Sequence, residues 1–161
     1  MAAEYSANAV QLVLPNQPVI FTESPVPCRS GNIFHRDESG NFLLASRANR
    51  TYNCYCCGRR FLETQYLVEF HGNIAVPTGG TVEAINLAIS IDGTVDPSSL
   101  MEVTPAAVDE YFNVSAGIIV SVPSICRCNN ISVVNTGTTA TGINVRNANL
   151  LITPLGVTVA A

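Results

Sequence analysis

The segment Ala84-Ile85-Asn86-Leu87-Ala88-Ile89-Ser90-Ile91-Asp92 places Ile85, Leu87, Ile89 and Ile91 on one side of an extended chain, with small or polar residues on the other. A helix would scatter these residues around its circumference, so the two-residue period predicts a half-buried strand. Short apolar segments of this kind recur from Val10 to Leu155, separated by turns rich in Gly, Pro and Asn. The pattern predicts an all-β sandwich of nine or ten strands. A length of 161 residues suits one domain spanning 1–161, with residues 1–8 expected as an N-terminal arm. Such a chain buries roughly 70% of the surface its unfolded form exposes, enough to fold without a metal or disulfide.

The first strand is expected over Asn8 to Leu14, with Val10, Leu12 and Leu14 on one face. Pro15-Asn16-Gln17-Pro18 then turns the chain into Val19 to Thr22. Asn32 to Arg36 and Asn41 to Ala45 flank Asp37-Glu38-Ser39-Gly40, a connection with hairpin chemistry. Beyond the Cys-rich stretch, Gln65 to Val76 puts Tyr66, Val68 and Phe70 on one face and ends at Pro77-Thr78-Gly79-Gly80. Thr81 to Ile91 closes at Asp92-Gly93, and a weaker pair of strands brackets Asp96-Pro97-Ser98-Ser99. Pro105 to Tyr111 is the expected helical turn, with Thr104 as its cap. Asn113 to Val122, Asn130 to Val134, Gly142 to Val145 and Ala148 to Thr153 complete the set. Leu150, Leu151 and Ile152 are apolar on both faces, as in a strand covered on both sides, and are the expected trimer interface.

Charged residues make up 12% of the chain against 47% hydrophobic, a sparse polar cover that suggests burial against neighbouring subunits. The formal charge is −4, all eight basic residues are Arg, and no Lys/Arg stripe is present to neutralise a phosphate backbone. Nucleic acid is therefore not an expected partner. The stretch Ala9 to Leu14 is too short and too interrupted for a secretory signal, and no apolar run reaches the length of a membrane-spanning helix. Assembly in the cytoplasm, with release by lysis or within a particle, is the expectation.

Six cysteines fall as Cys28, the cluster Cys54, Cys56 and Cys57, and the pair Cys126 and Cys128. Thiols at i and i+2 point the same way from an extended chain, so Cys54/Cys56 and Cys126/Cys128 could present four thiolates to one zinc. Disulfides within or between subunits, and free thiols, are the competing readings. No other cofactor is expected. His35 and His71 lie in expected strands with nothing in sequence bringing them to a thiol, so no Cys-His nucleophile is expected. Asp37-Glu38 and Asp109-Glu110 read as solvated turn carboxylates rather than an acid/base pair. No catalytic residue is assigned.

Several segments, read in order, resemble the trimeric jelly rolls of complement C1q and tumour necrosis factor, including the BclA-type C-terminal domain of spore-surface glycoproteins. Val19-Ile20-Phe21-Thr22 resembles the family's opening strand. His35 to Phe42 resembles its Tyr-Asp-x-x-Thr-Gly-x-Phe hairpin, with His35 in the aromatic place. Gln65 to Phe70, Ile89 to Gly93 and Asn147 to Ile152 resemble its later strands. Cys126-Arg127-Cys128-Asn129-Asn130 stands where the family has Gly-Asp, and no collagen-like repeat precedes the domain in this sequence. The segments Tyr5 to Gln11, Asn73 to Pro77 and Val103 to Val108 are similar to small stand-alone phage and prophage proteins of gut bacteria. The resemblance implies a non-enzymatic homotrimer on a virion surface, a capsid decoration or head fibre. Its expected partners are itself, a major capsid or other virion protein, and a host-surface glycan or protein. A spore-surface structural protein is the alternative.

Overall fold

The computed structural model describes residues 1–28, 31–36, 38–47, 62–124 and 128–159. In chain order the described strands are β1 (Ala3–Ala7), β2 (Gln11–Val13), β3 (Glu23–Val26), β4 (Ile33–His35), β5 (Phe42–Ala45) and β6 (Leu62–Ala75). They continue as β7 (Ile85–Ile91), β8 (Thr94–Val95), β9 (Met101–Val103), β10 (Phe112–Pro123), β11 (Cys128–Asn135) and β12 (Ile143–Val159). Every pairing between them is antiparallel, and they form two sheets. The first runs β10-β6-β12-β1-β3, with β2 also on β12; the second runs β4-β5-β11-β7-β8, with β9 also on β7. The two sheets close over one apolar core, a β-sandwich as the alternation predicts and a jelly roll as the resemblance implies.

The strongest alternations land where expected. Tyr66, Val68 and Phe70 on β6 and Ile85, Leu87 and Ile89 on β7 are all buried. Each such large side chain contributes about 1.5–3 kcal/mol on leaving water. Asp92 and Gly93 have φ of 50° and 82° between paired Ile91 and Thr94, the left-handed two-residue turn that matches strand twist in a hairpin. Gly79, at φ 84°, fills the position of the Pro77–Gly80 turn that needs a left-handed residue.

Other expectations are corrected. Residues 1–8 are not an arm, because Ala3–Ala7 forms β1, hydrogen-bonded between β12 and β3 with Ala3, Tyr5 and Ala7 in the core. Val10, Leu12 and Leu14 point outward, Leu12 being 56% exposed, while Val13 takes the core position opposite Ile143. Val19–Thr22 is no strand: isolated bridges pair Pro18 with Val134 and Phe21 with Ser39, and Val19 and Phe21 point inward. No helix forms over 105–111. Glu110 instead folds its carboxylate back to accept from the Ala106 and Ala107 N–H groups, and Asp109 is left-handed at φ 55°. The one helical turn among the described residues is Pro97–Ser99, capped by Asp96, whose carboxylate accepts from the Ser98 N–H and hydroxyl. Those two donors, the hydroxyl first, hold the Asp96 carboxyl below its usual range.

The two closing segments are one long strand, β12, interrupted rather than ended. Its register against β6 shifts between Arg146 and Asn149, where Asn147 is left-handed at φ 50°, and again between Pro154 and Gly156. A proline has no N–H for the ladder, so the second irregularity falls where one is needed.

Aromatic packing fixes one end of the sandwich. The Phe42 ring lies 4.7 Å from Tyr5, 5.3 Å from Phe21 and 4.4 Å from His35, the last pair stacked at 12°. His35 therefore acts as an aromatic, with Nε2 at 3.0 Å from the Ser39 carbonyl. Burial pushes the Tyr5 phenol upward; the charge of Cys28 adds to the shift and a hydrogen bond with the Cys28 backbone opposes it. Deeper in the core, the Tyr66 hydroxyl donates to the Ala45 carbonyl at 2.5 Å across the two sheets.

Candidate functional site: two outer faces

A sandwich has two outward faces, and here they differ in chemistry. On the first sheet the register aligns Ile119 of β10, Leu67 of β6 and Thr153 of β12 in one row. The next outward row holds Gly117, Glu69, Leu151 and Glu4. Ile119 is 60% exposed, and with Leu67 and Leu151 makes an apolar patch that no other described element covers. Around it the polar groups serve one another: Asn149 Nδ2 donates to Glu4 at 2.7 Å and the Ser6 hydroxyl to Glu23 at 3.2 Å. Further along, the Arg146 guanidinium sits 3.7 Å from the centre of the Tyr111 ring.

The three expected interface residues separate by parity. Leu150 and Ile152 are wholly buried in the chain's own core, so they have no surface left to give a neighbour. Leu151 alone of the three points outward. Ile119 and Leu67 were missed because each is one apolar member of an otherwise mixed outward row, distinguishable only once the strands are aligned.

The outer face of the second sheet is shallowly indented. Two adjoining depressions of about 490 Å³ and about 290 Å³ share Asn41 and Asn130 as a common wall. The larger is lined by Phe34 and Leu43, directly opposed on β4 and β5, with Arg36 and the His35 edge beside them. Phe34 is 51% exposed and Leu43 41%. The smaller has Ser90 and Ser132 side by side on β7 and β11, flanked by Pro18 and Val134. Asn130 is held from two sides. Its N–H donates to Asp92 at 2.7 Å and its Nδ2 to Asn41 at 3.2 Å, while its buried Oδ1 has no protein partner among the described residues.

Of the cysteines, Cys54, Cys56, Cys57 and Cys126 lie outside the described residues. Cys28 packs partly buried against the core, and Cys128 is exposed at the start of β11 opposite Ala45. Among the described residues no three His, Cys, Asp or Glu side chains gather as a metal site, and no helix is long and apolar enough to cross a membrane.

No protein-family model matches the chain, and no curated protein matches it. Solved structures do. The globular domain of zebrafish complement 1qA aligns over 96% of this chain and 96% of its own at 12% identity, with a TM-score of 0.56. The Eiger TNF of S. frugiperda aligns over 97% of this chain and 92% of its own at 9% identity, with a TM-score of 0.63. At such identities the likeness concerns the path of the chain, and the fold is that of the C1q/TNF-like jelly roll.

Proposed function

We propose that the chain is a non-catalytic structural and attachment domain that assembles as a homotrimer through the outer face of the sheet containing β6, β10 and β12. In this reading it decorates a phage particle as a capsid-decoration or head-fibre protein, anchored to a capsid or other virion protein. The carrying observation is the Ile119, Leu67 and Leu151 patch, placed mid-sheet with no covering layer among the described residues. Three copies packed around such faces would bury it, leaving the indented second sheet outward for attachment. The low charge content agrees with a surface partly spent on neighbours.

Light scattering during size exclusion tests the assembly. A mass three times the 17.1 kDa chain is expected, falling toward one chain in Ile119→Asp. A monomeric wild type at micromolar concentration refutes it. The exposed Cys128 favours a second reading, a crosslinked spore-surface structural protein of BclA type. Antibody labelling of induced phage and of spores from one host separates the two. Labelled capsids support the virion reading, whereas labelled spores with bare capsids transfer the assignment.

A further inference from the structure

We infer that the indented outer face of the second sheet is a carbohydrate-binding groove, with Phe34 as the stacking platform and Asn41, Asn130 and Arg36 as the polar grip. This deepens the reading of the domain as an attachment module, but depends on neither its trimerisation nor its phage origin.

A pyranose is an apolar face of C–H groups bordered by hydroxyls that both donate and accept. It asks for a flat apolar surface beside groups of both hydrogen-bonding senses. Phe34 and Leu43 supply that surface: they oppose each other on the hairpin β4–β5, and period-two patterning would ordinarily put polar residues there. The negative face of a phenyl ring attracts the electropositive C–H edge of a sugar.

The grip stands beside the platform. The Asn130 backbone is tied to Asp92, and its side-chain amide is oriented by the one bond it donates to Asn41. That arrangement leaves its Oδ1 buried with no protein partner among the described residues, so a ligand hydroxyl can donate to it only on a rotation of the side chain that uncovers it. Asn41 and Arg36 line the same depression, and the largely buried Ser90 and Ser132 border the adjoining one. The lining holds no carboxylate among the described residues, which suits a hydroxylated ligand better than a cation. The larger volume of about 490 Å³ suits one or two sugar rings, and its shallowness predicts a Kd of about 1 mM.

The test is an NMR titration of the full ¹⁵N-labelled chain with maltotriose, cellotriose, chitotriose, lactose and sialyllactose, with glycerol as the control polyol. At least one saccharide should move the amide signals of Phe34, Asn41, Leu43 and Asn130 while leaving Asn113, on the opposite face, in place. Phe34→Ala should weaken that saccharide at least tenfold and Asn130→Ala severalfold, and Asn113→Ala should bind as wild type. Phe34 is surface-exposed, so its variant should keep the wild-type spectrum elsewhere; should it not, Asn130→Ala carries the test. The inference is overturned if no saccharide moves these signals at concentrations on the order of 10 mM. It is equally overturned if glycerol moves them as much, or if the shifts survive both substitutions. The mass measured on the same samples keeps the outcomes apart. Binding by a monomer supports the groove and sinks the trimer, and a trimer blind to sugars does the reverse.

Discussion

Tyr66→Phe should cost stability at neutral pH and recover it in base. The Tyr66 ring is wholly buried, and its hydroxyl makes the 2.5 Å bond to the Ala45 carbonyl. Removing that hydroxyl leaves the carbonyl without its partner, a loss of about 1–2 kcal/mol. Burial also pushes the phenol from 10.0 up to about 12, an effect that the nearby Arg47 reduces. A raised folded pKa means the folded state holds its proton after the unfolded chain has released it. The contribution is complete below pH 10.0 and is lost as pH climbs from there through about 12. Near pH 11 linkage would remove about 1.4 kcal/mol from the wild type, and about 1 kcal/mol after allowance for solvent screening. Tyr66→Phe has no such proton to lose, so its deficit should shrink to nearly nothing. Urea denaturation of both proteins, at one fixed concentration and at about pH 7 and about pH 11, reads the gap directly. A gap that stays constant between the two pH values refutes the argument that burial holds this phenol neutral.

Gly40→Ala should destabilise by about 1–3 kcal/mol, since its Cβ would meet the Val19 carbonyl at 2.5 Å and Pro18 Cβ at 2.6 Å, and backbone cannot swing aside; thermal melts measure it. Asn135→Ala should cost about 2 kcal/mol or more in urea denaturation, because its side chain both donates to the Val13 carbonyl and accepts from the Gly137 N–H; a loss below about 0.5 kcal/mol would contradict this. For the cysteines, we propose that the two clusters lie together, bridged by disulfides or by a metal; thiol titration with elemental analysis checks this, and six freely reactive thiols without zinc in protein prepared without reductant defeat both forms.

The sandwich was legible because long strands repeat their period often enough to be unmistakable, as in β6 and β7. The hairpin resemblance likewise has a physical basis: Gly40 lies against Pro18 and Val19, and His35 stacks on Phe42 as an aromatic would. Where the reading failed, period was right and side was wrong. Between Val10 and Leu14 the majority apolar parity faces out, and the single Val13 faces in, because pairing with Ile143 on β12 decides the side and a partner strand more than a hundred residues away is invisible locally. The same ambiguity put Leu150 and Ile152 at a subunit interface when they belong to the core. Asp109 and Glu110, given to a helical turn, stabilise a non-helical one through Glu110's bonds to two backbone N–H groups, a local competition that propensity does not anticipate.

Alternation thus announces that one face of a strand is apolar without saying what covers it, and on the proposed reading some of that cover comes from outside the monomer. Ile119, Leu67 and Leu151 on one sheet, and Phe34 and Leu43 on the other, are apolar residues at outward positions that no other described element covers. The surroundings differ in kind. The first group lies on a flat sheet among self-satisfied polar pairs, the setting of a protein–protein contact. The second borders a shallow depression lined by Asn41, Asn130 and Arg36, the setting proposed above for a small hydroxylated ligand. The two faces therefore ask different questions of solution experiments, mass for one and saccharide titration for the other, and neither answer depends on the other.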